Sequence, residues 1–205
     1  MSLFPAFLKL KDRLVLVVGG GAIAASKIPG LLEAGARVTV VAPTLAPKLV
    51  EWVRDREIDW LPKPFEGEDL KGMFLVVAAT SLPDVNEFVF LEAEKCRVLC
   101  NAVDDIDHCH FYYGSIVQRG DLQIAISTNG KSPALARRLR QELEEQFSPE
   151  YAAWLDWLGA AREVLRAQSS DPEITKRWLH LLASRSMFER FLRETNDSSP
   201  HKGVS

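Results

Sequence analysis

The chain has 205 residues, enough to bury a full core and to form one domain with an appendage, or two small ones. Its 25 basic and 28 acidic residues leave a formal charge of −3, which gives no electrostatic footprint for nucleic acid. No stretch approaches the roughly 20 apolar residues of a membrane span, so no membrane partner is expected; the N-terminus, broken by Pro5, Lys9 and Lys11, lacks the pattern of a signal peptide.

Val15 to Val18 is apolar without polar alternation, the pattern of a strand buried on both faces of a parallel sheet. Glycines follow at once. Ala22 to Glu33 then reads as a helix, with Gly35 just past its end as a stop. Between strand and helix, Gly19-x-Gly21-x-x-Ala24 is a dinucleotide fingerprint with alanine at its third position. The first glycine suits a tight turn and the second a close approach to pyrophosphate, while the small third residue lets helix and strand pack. Arg37 to Val41 supplies the second strand of a βαβ unit. The acidic residue that would grip the ribose hydroxyls is replaced by Ala42-Pro43-Thr44, and no Arg or Lys stands there for a 2′-phosphate. That favours NAD over NADP, with Thr44 or backbone groups at the ribose.

Leu45 to Asp55 reads as a helix, Ile58 to Leu61 as a short strand and Lys63 to Gly67 as a loop. Phe74 to Ala79 is a second buried strand ending in Thr80-Ser81; Pro83 to Lys95 forms a helix and Arg97 to Asn101 a strand. This alternation predicts an α/β fold, a Rossmann-type doubly wound parallel sheet whose ligand lies at the carboxyl ends of the strands. Gly19 to Gly21, Ala42 to Thr44, Ala79 to Ser81 (with Thr80 as a cofactor contact) and Asn101 to Asp104 should line one crevice.

From Phe111 the pattern changes. Phe111 to Gln118 and Leu122 to Ser127 are strand-like around Arg119-Gly120-Asp121, a β-hairpin. Ser132 and Pro133 then open a helix as N-cap and first residue, running to about Phe147. Its Arg137, Arg138 and Arg140 precede Glu142, Glu144 and Glu145, an order that opposes the helix dipole and hints at another use for the arginines. Glu150 to Ala167, Pro172 to Leu182 and Arg185 to Arg193 read as helices. The expected division is 1–113 for the nucleotide domain, 114–147 for the hairpin and its helix, 148–194 for a helical domain and 195–205 for a disordered tail.

Three constellations carry possible chemistry. Ala125 to Ser132 has Walker A spacing with alanine first, but no further parallel strands follow; its N–H groups and Lys131 at a helix start suit carboxylates instead. Cys96, Cys100, His108, Cys109 and His110 match no structural zinc spacing, so no metal site is expected. Three cysteines cannot all pair, and reduced thiols in a cytoplasm are expected. Asp104 follows directly on a strand end facing the crevice, where a base could reach a ligand beside a nicotinamide.

Phe4 to Leu10, Val17 to Gly21, Leu32 to Val40, Cys100 to Asp105 and Ile124 to Ala136 together resemble the precorrin-2 dehydrogenases, the dehydrogenase/ferrochelatase module of sirohaem synthase. The resemblance implies a homodimer with 114–147 as its dimerisation region, a helical C-terminal domain, and NAD-dependent oxidation of precorrin-2 to sirohydrochlorin. Some members also insert iron or cobalt. It further implies Asp104 as general base, cofactor contacts at Gly21, Ala22, Ile23, Pro43 and Thr44, and a purpose for Asn129, Lys131, Ser132 and Arg137 as anchors for substrate carboxylates. Ser26, Gly114 and the histidines flanking Cys109 depart from the family pattern, and methylation is expected to come from another chain rather than from a methyltransferase domain of this one. The competing reading is a non-catalytic dinucleotide sensor that binds a protein partner through its helices.

Overall fold

A computed structural model describes residues 3–168 and 171–197, and the chain divides into two compact units, Met1–Tyr113 and Gly114–Ser205. The first holds five strands: β1 (Leu14–Val18), β2 (Arg37–Val41), β3 (Asp59–Leu61), β4 (Leu75–Ala78) and β5 (Leu99–Ala102). They form one parallel sheet in the order β3-β2-β1-β4-β5, the doubly wound arrangement. Register places Val15 beside Val38 and Leu75, and Val18 beside Val41 and Ala78. The chain order reverses between β1 and β4, which is where such sheets open a crevice.

Strand pleating sends successive β1 side chains to opposite faces. Val15 and Val17 pack with Ala24, Ile28 and Leu31 of helix α1 (Ala22–Glu33) and with Leu49 of α2 (Pro47–Arg54). Leu16 and Val18 pack with Val89 and Ala93 of α3 (Pro83–Cys96) and with Leu70. Each such side chain, fully buried, contributes about 1.5–3 kcal/mol, which explains why β1 and β4 carry no polar residue.

All three helices of this unit stop with the same pair of backbone bonds. At the end of α1, Gly35 N–H donates to Leu32 O and Ala36 N–H to Leu31 O, with Gly35 at φ +77°. Arg56 (φ +60°) and Arg97 (φ +57°) take that left-handed place after α2 and α3. Pro29 lies inside α1, where it removes one donor, yet the buried face formed by Ala24, Ile28 and Leu31 carries the helix past it.

Some boundaries differ from expectation. β5 starts at Leu99, because Arg97 is left-handed and Val98 N–H closes α3 on Ala93 O. The expected loop at 63–67 leads into a 3-10 turn, Gly67–Leu70, capped reciprocally by Glu66 and Asp69, with Lys63 ion-paired to both.

The second unit contains the antiparallel hairpin β6 (Ser115–Arg119) and β7 (Leu122–Ile126), turned at Gly120 (φ +57°). Phe111 to Gly114, expected as strand, lies outside it. Helix α4 (Pro133–Gln146) follows, and the Arg119 guanidinium donates to Phe147 O (2.7 Å) and Glu144 O (3.0 Å) at its C-terminal end. Helices α5 (Tyr151–Gln168), α6 (Pro172–Leu182) and α7 (Arg185–Asp197) complete the unit, and Phe147, Tyr151, Trp154 and Phe188 cluster ring to ring. α7 runs past Arg193, held by the Arg190–Glu194 pair, so 195–197 are helical; the rest of the expected disordered tail, 198–205, lies outside the described residues. Among the described residues no helix is long and apolar enough to cross a membrane.

Candidate nucleotide-binding and catalytic site

The four predicted strand ends meet at one edge of the sheet, joined through backbone. A Cβ on Gly19 would lie 2.5 Å from Ala79 O, and one on Gly20 would lie 1.9 Å from Thr44 O. Ala46 N–H donates to Gly20 O (2.7 Å), and Val103 N–H to Ala78 O (2.9 Å). Gly19 to Gly21, Ala42 to Thr44, Ala79 to Thr80 and Asn101 to Asp104 are thereby brought together.

Within the fingerprint the three glycines do different things. Gly19 has φ +122°, a conformation that side chains rarely adopt, and makes the turn. Gly20, which occupies a free position of the fingerprint, is required by the closeness of Thr44. Gly21 has ordinary extended backbone (φ −96°), and a Cβ there would meet no atom within 4 Å. That open space borders the start of α1, where no side chain caps the helix and no acid occupies the first turn. Gly21, Ala22 and Ile23 are exposed there, while Ala24 is fully buried against the sheet. An uncapped helix start beside a glycine with room in front of it fits a pyrophosphate.

Pro43 and Thr44 are exposed at the end of β2. The Trp60 indole of β3 donates to Ala42 O (2.9 Å) and fixes this end. Thr80 stands differently: its hydroxyl is 2.7 Å from Asn86 Oδ1 and accepts from Leu82 N–H, while Asn86 Nδ2 donates to Thr80 O. Asn86 is 6% exposed and was not foreseen; a polar residue in the first turns of a helix that follows a strand end was its only signal.

Asp104 lies beyond β5, exposed, at φ +63°. For a non-glycine residue this conformation costs roughly 1–2 kcal/mol, so the neighbouring chain must hold it. Asp105 N–H closes the turn on Ala102 O (3.2 Å). The Cys109 thiol lies 3.1 Å from Ala102 O and 3.0 Å from Asp105 O, and Asn101 Nδ2 donates to its sulfur and to Phe111 O. His108 Nδ1 pairs with Asp105 Oδ2 at 2.6 Å. This bond raises the imidazole pKa and lowers that of the carboxyl. His110 Nδ1 accepts from Cys100 N–H, which leaves Nε2–H to donate to Glu94, and both imidazoles pack on Phe90. Burial pushes the Cys100 thiol up to about 12, so it is an inert apolar group. Lys27 sits 4.8 Å over the Tyr113 ring, whose phenol burial also pushes up to about 12. Among the described residues no group of three or more His, Cys, Asp or Glu is arranged to hold a metal.

The remaining predicted residues lie in the second unit. Asn129 (φ +52°) and Gly130 (φ +73°) form the centre of a tight turn closed by Lys131 N–H on Thr128 O. Ser132 caps α4 through Leu135 N–H, so its hydroxyl already has a partner. Lys131 and Arg137 are exposed and unpaired among the described residues, whereas Arg138 and Arg140 pair with Glu142 and Glu144. Two of the three early arginines thus find their purpose within the helix. A cavity of about 630 Å³ between α5 and α6, lined by Arg162, Arg166, Lys176 and His180 among others, contains none of these residues.

Residues 6–115 match the family described as "Putative NAD(P)-binding", and residues 119–146 match the sirohaem biosynthesis protein central family. The chain is 38% identical over 200 residues to siroheme synthase 3 of Aeromonas hydrophila, covering 97% of this chain and 43% of that protein. It is 47% identical over 166 residues to the siroheme synthase of Photorhabdus laumondii, covering 81% and 35%. The chain therefore spans less than half the length of these relatives. Among solved structures it is similar to SirC, a precorrin-2 dehydrogenase, with a TM-score of 0.77 and 29% identity over 95% of this chain and 100% of that one. With an NAD(P)-binding unit followed in order by the sirohaem-biosynthesis central segment, the chain belongs to the family of precorrin-2 dehydrogenases and sirohaem-synthase N-terminal modules.

Proposed function

We propose that this chain oxidises precorrin-2 to sirohydrochlorin with NAD. The observation that carries the reading is Asp104, an exposed carboxylate held at a left-handed φ directly beyond β5, in the row of strand ends that includes the glycine turn. The likeness to SirC over nearly both whole chains adds the substrate class.

In this reading the N–H groups of Gly21, Ala22 and Ile23 hold the pyrophosphate, with Gly19 shaping the turn. Pro43 and Thr44 border the ribose, and Thr80 offers the remaining lone pair of its carbonyl oxygen, since its hydroxyl and its N–H are both engaged with Asn86. NAD, when bound, accepts a hydride from the macrocycle. The second product of the oxidation is a proton, and Asp104 is the group that takes it. Asn129, Lys131, Ser132 and Arg137 form the anchor for the substrate's carboxylates, with Lys131 and Arg137 supplying the charge, since the N–H groups of Asn129, Lys131 and Ser132 are given to Ser127 Oγ, Thr128 O and Thr128 Oγ1 within the turn. Residues 114–147 serve a homodimer, 148–194 form its helical domain, and the three free cysteines suit a reducing cytoplasm.

The test is anaerobic mixing of the protein with NAD and freshly made precorrin-2. Sirohydrochlorin and NADH should appear in equal amounts. Asp104→Asn should lower kcat by about 10²-fold or more with NAD affinity unchanged. No NADH from the parent protein would favour the dinucleotide sensor instead. Acceleration of ferrous or cobaltous ion insertion over the spontaneous rate would add chelation to the activity.

A further inference from the structure

We infer that Cys109 is a positioning residue for Asp104: its thiol clamps the two carbonyls that flank the left-handed aspartate and holds the carboxylate out at the crevice. The inference rests on the reading of Asp104 as the base.

Relaxation of Asp104 to a negative φ would rotate the peptides on either side of it, and those peptides carry the carbonyls of Val103 and Asp104 between the anchored Ala102 and Asp105. The anchors are what one thiol reaches. Cys109 Sγ lies 3.1 Å from Ala102 O and 3.0 Å from Asp105 O, so its single proton is shared across the turn. Asn101 Nδ2 fixes the sulfur from behind at 3.3 Å, and the same amide nitrogen donates to Phe111 O at 2.8 Å. Burial pushes the thiol above its ordinary range, so it keeps its proton as a donor at neutral pH. The sulfur is thus a bound, protonated, intramolecular donor, which no metal or disulfide uses among the described residues.

Removing the clamp need not unfold the segment. Cys109 also forms a bridge with Asn101 through the backbone, flanked by Ala102 N–H to His108 O and His110 N–H to Cys100 O, and none of these bonds involves the sulfur. The clamp reinforces the bond from Asp105 N–H to Ala102 O against relaxation of the turn, and a displacement of about 1 Å at a catalytic group can cost 10²-fold in rate.

The experiment compares Cys109→Ala, Cys109→Ser, Asp104→Ala and the double variant Cys109→Ala/Asp104→Ala as full chains, measuring kcat for precorrin-2 oxidation, NAD Kd and Tm. The expected result is a fall in kcat of about 10-fold or more in Cys109→Ala with NAD Kd unchanged, and recovery to within about 3-fold in Cys109→Ser, which keeps a donor. In the Asp104→Ala background the Cys109→Ala change should cost nothing further, because its effect passes through a carboxylate no longer present. Equal losses in both backgrounds, or full turnover in Cys109→Ala, would overturn the inference. Full turnover in Asp104→Ala alone would instead remove the base and the reading beneath it. Should Cys109→Ala fail to fold, parent-like turnover in a folded Cys109→Val, which has no donor, overturns the inference just as well, and loss restored by Cys109→Ser upholds it.

Discussion

Gly20→Ala and Gly21→Ala, adjacent and chemically identical substitutions, should fail in opposite ways. At Gly20 the added Cβ would lie 1.9 Å from Thr44 O and 3.0 Å from Ala42 Cβ, both fixed parts of the turn after β2. The turns must separate by about 1 Å, at an overpacking cost of about 1–3 kcal/mol. The bond from Ala46 N–H to Gly20 O, 2.7 Å long, is lost with them and adds about 1 kcal/mol. A fall in Tm on the order of 10 °C follows for a unit of this size. At Gly21 the Cβ meets nothing within 4 Å and φ is −96°, so the cost is at most that of alanine as an N-cap, about 1 kcal/mol or less. The methyl group instead fills the space in front of the helix start. NAD affinity should fall about 10-fold or more, which removes about 1.4 kcal/mol of the stabilisation that saturating NAD confers. Thermal scans of both variants with and without NAD separate the two effects. Parent-like NAD binding by Gly21→Ala would refute the pyrophosphate cradle, and parent-like Tm in Gly20→Ala would refute the steric argument for the middle glycine.

Arg97→Gly, at an exposed left-handed helix end, should stabilise the first unit by about 0.5–1 kcal/mol in urea unfolding, whereas Arg97→Ala should not. The His108–Asp105 pair predicts a stability contribution confined to mildly acidic pH. The raised His108 pKa contributes below the unfolded value and is lost as pH rises through the folded one, while the lowered Asp105 pKa contributes above its unfolded value and is lost on acidification. The window is therefore about pH 4 to 6.5. Unfolding free energies of parent and His108→Ala should differ most within it, and a difference constant from pH 4 to 9 would count against the pair. Lys131→Glu should raise KM for precorrin-2 about 10-fold while leaving NAD affinity alone; equal effects on both would place Lys131 outside substrate recognition.

The central strands were legible in the sequence because a strand buried on both faces cannot hide its composition: Val15 to Val18 and Leu75 to Ala78 contain nothing polar. The fingerprint and the four strand ends were legible for the same reason, since they follow from where those strands stop. The role of Gly20 was not, because a steric requirement set by Thr44 is a tertiary fact with no local signature. Nor were Arg56 and Arg97 visible as helix stops, as the motif that closes those helices normally recruits glycine. Asp104 was singled out from its position after a strand, but the network that secures it joins residues up to ten apart through a thiol, two histidines and an amide. Periodicity carries no trace of such contacts. The hairpin was read too early by four residues because Phe111-Tyr112-Tyr113 has strand composition, while its residues serve instead to receive Asn101 and pack against Lys27.

The segment after Asp104 has one more effect, on the solubility of the sheet. β5 is its outermost strand on one side and would offer a row of unpaired donors and acceptors to any other strand. His108 to His110 runs back along it: His110 N–H fills Cys100 O, Ala102 N–H is given to His108 O, and the Cys100 N–H is taken by the His110 ring. The opposite border, β3, is only three residues long, with Asp59 exposed at its start. One side is closed by its own loop and the other is too short and charged to recruit a neighbour, so the nucleotide-binding sheet has no adhesive margin on either side.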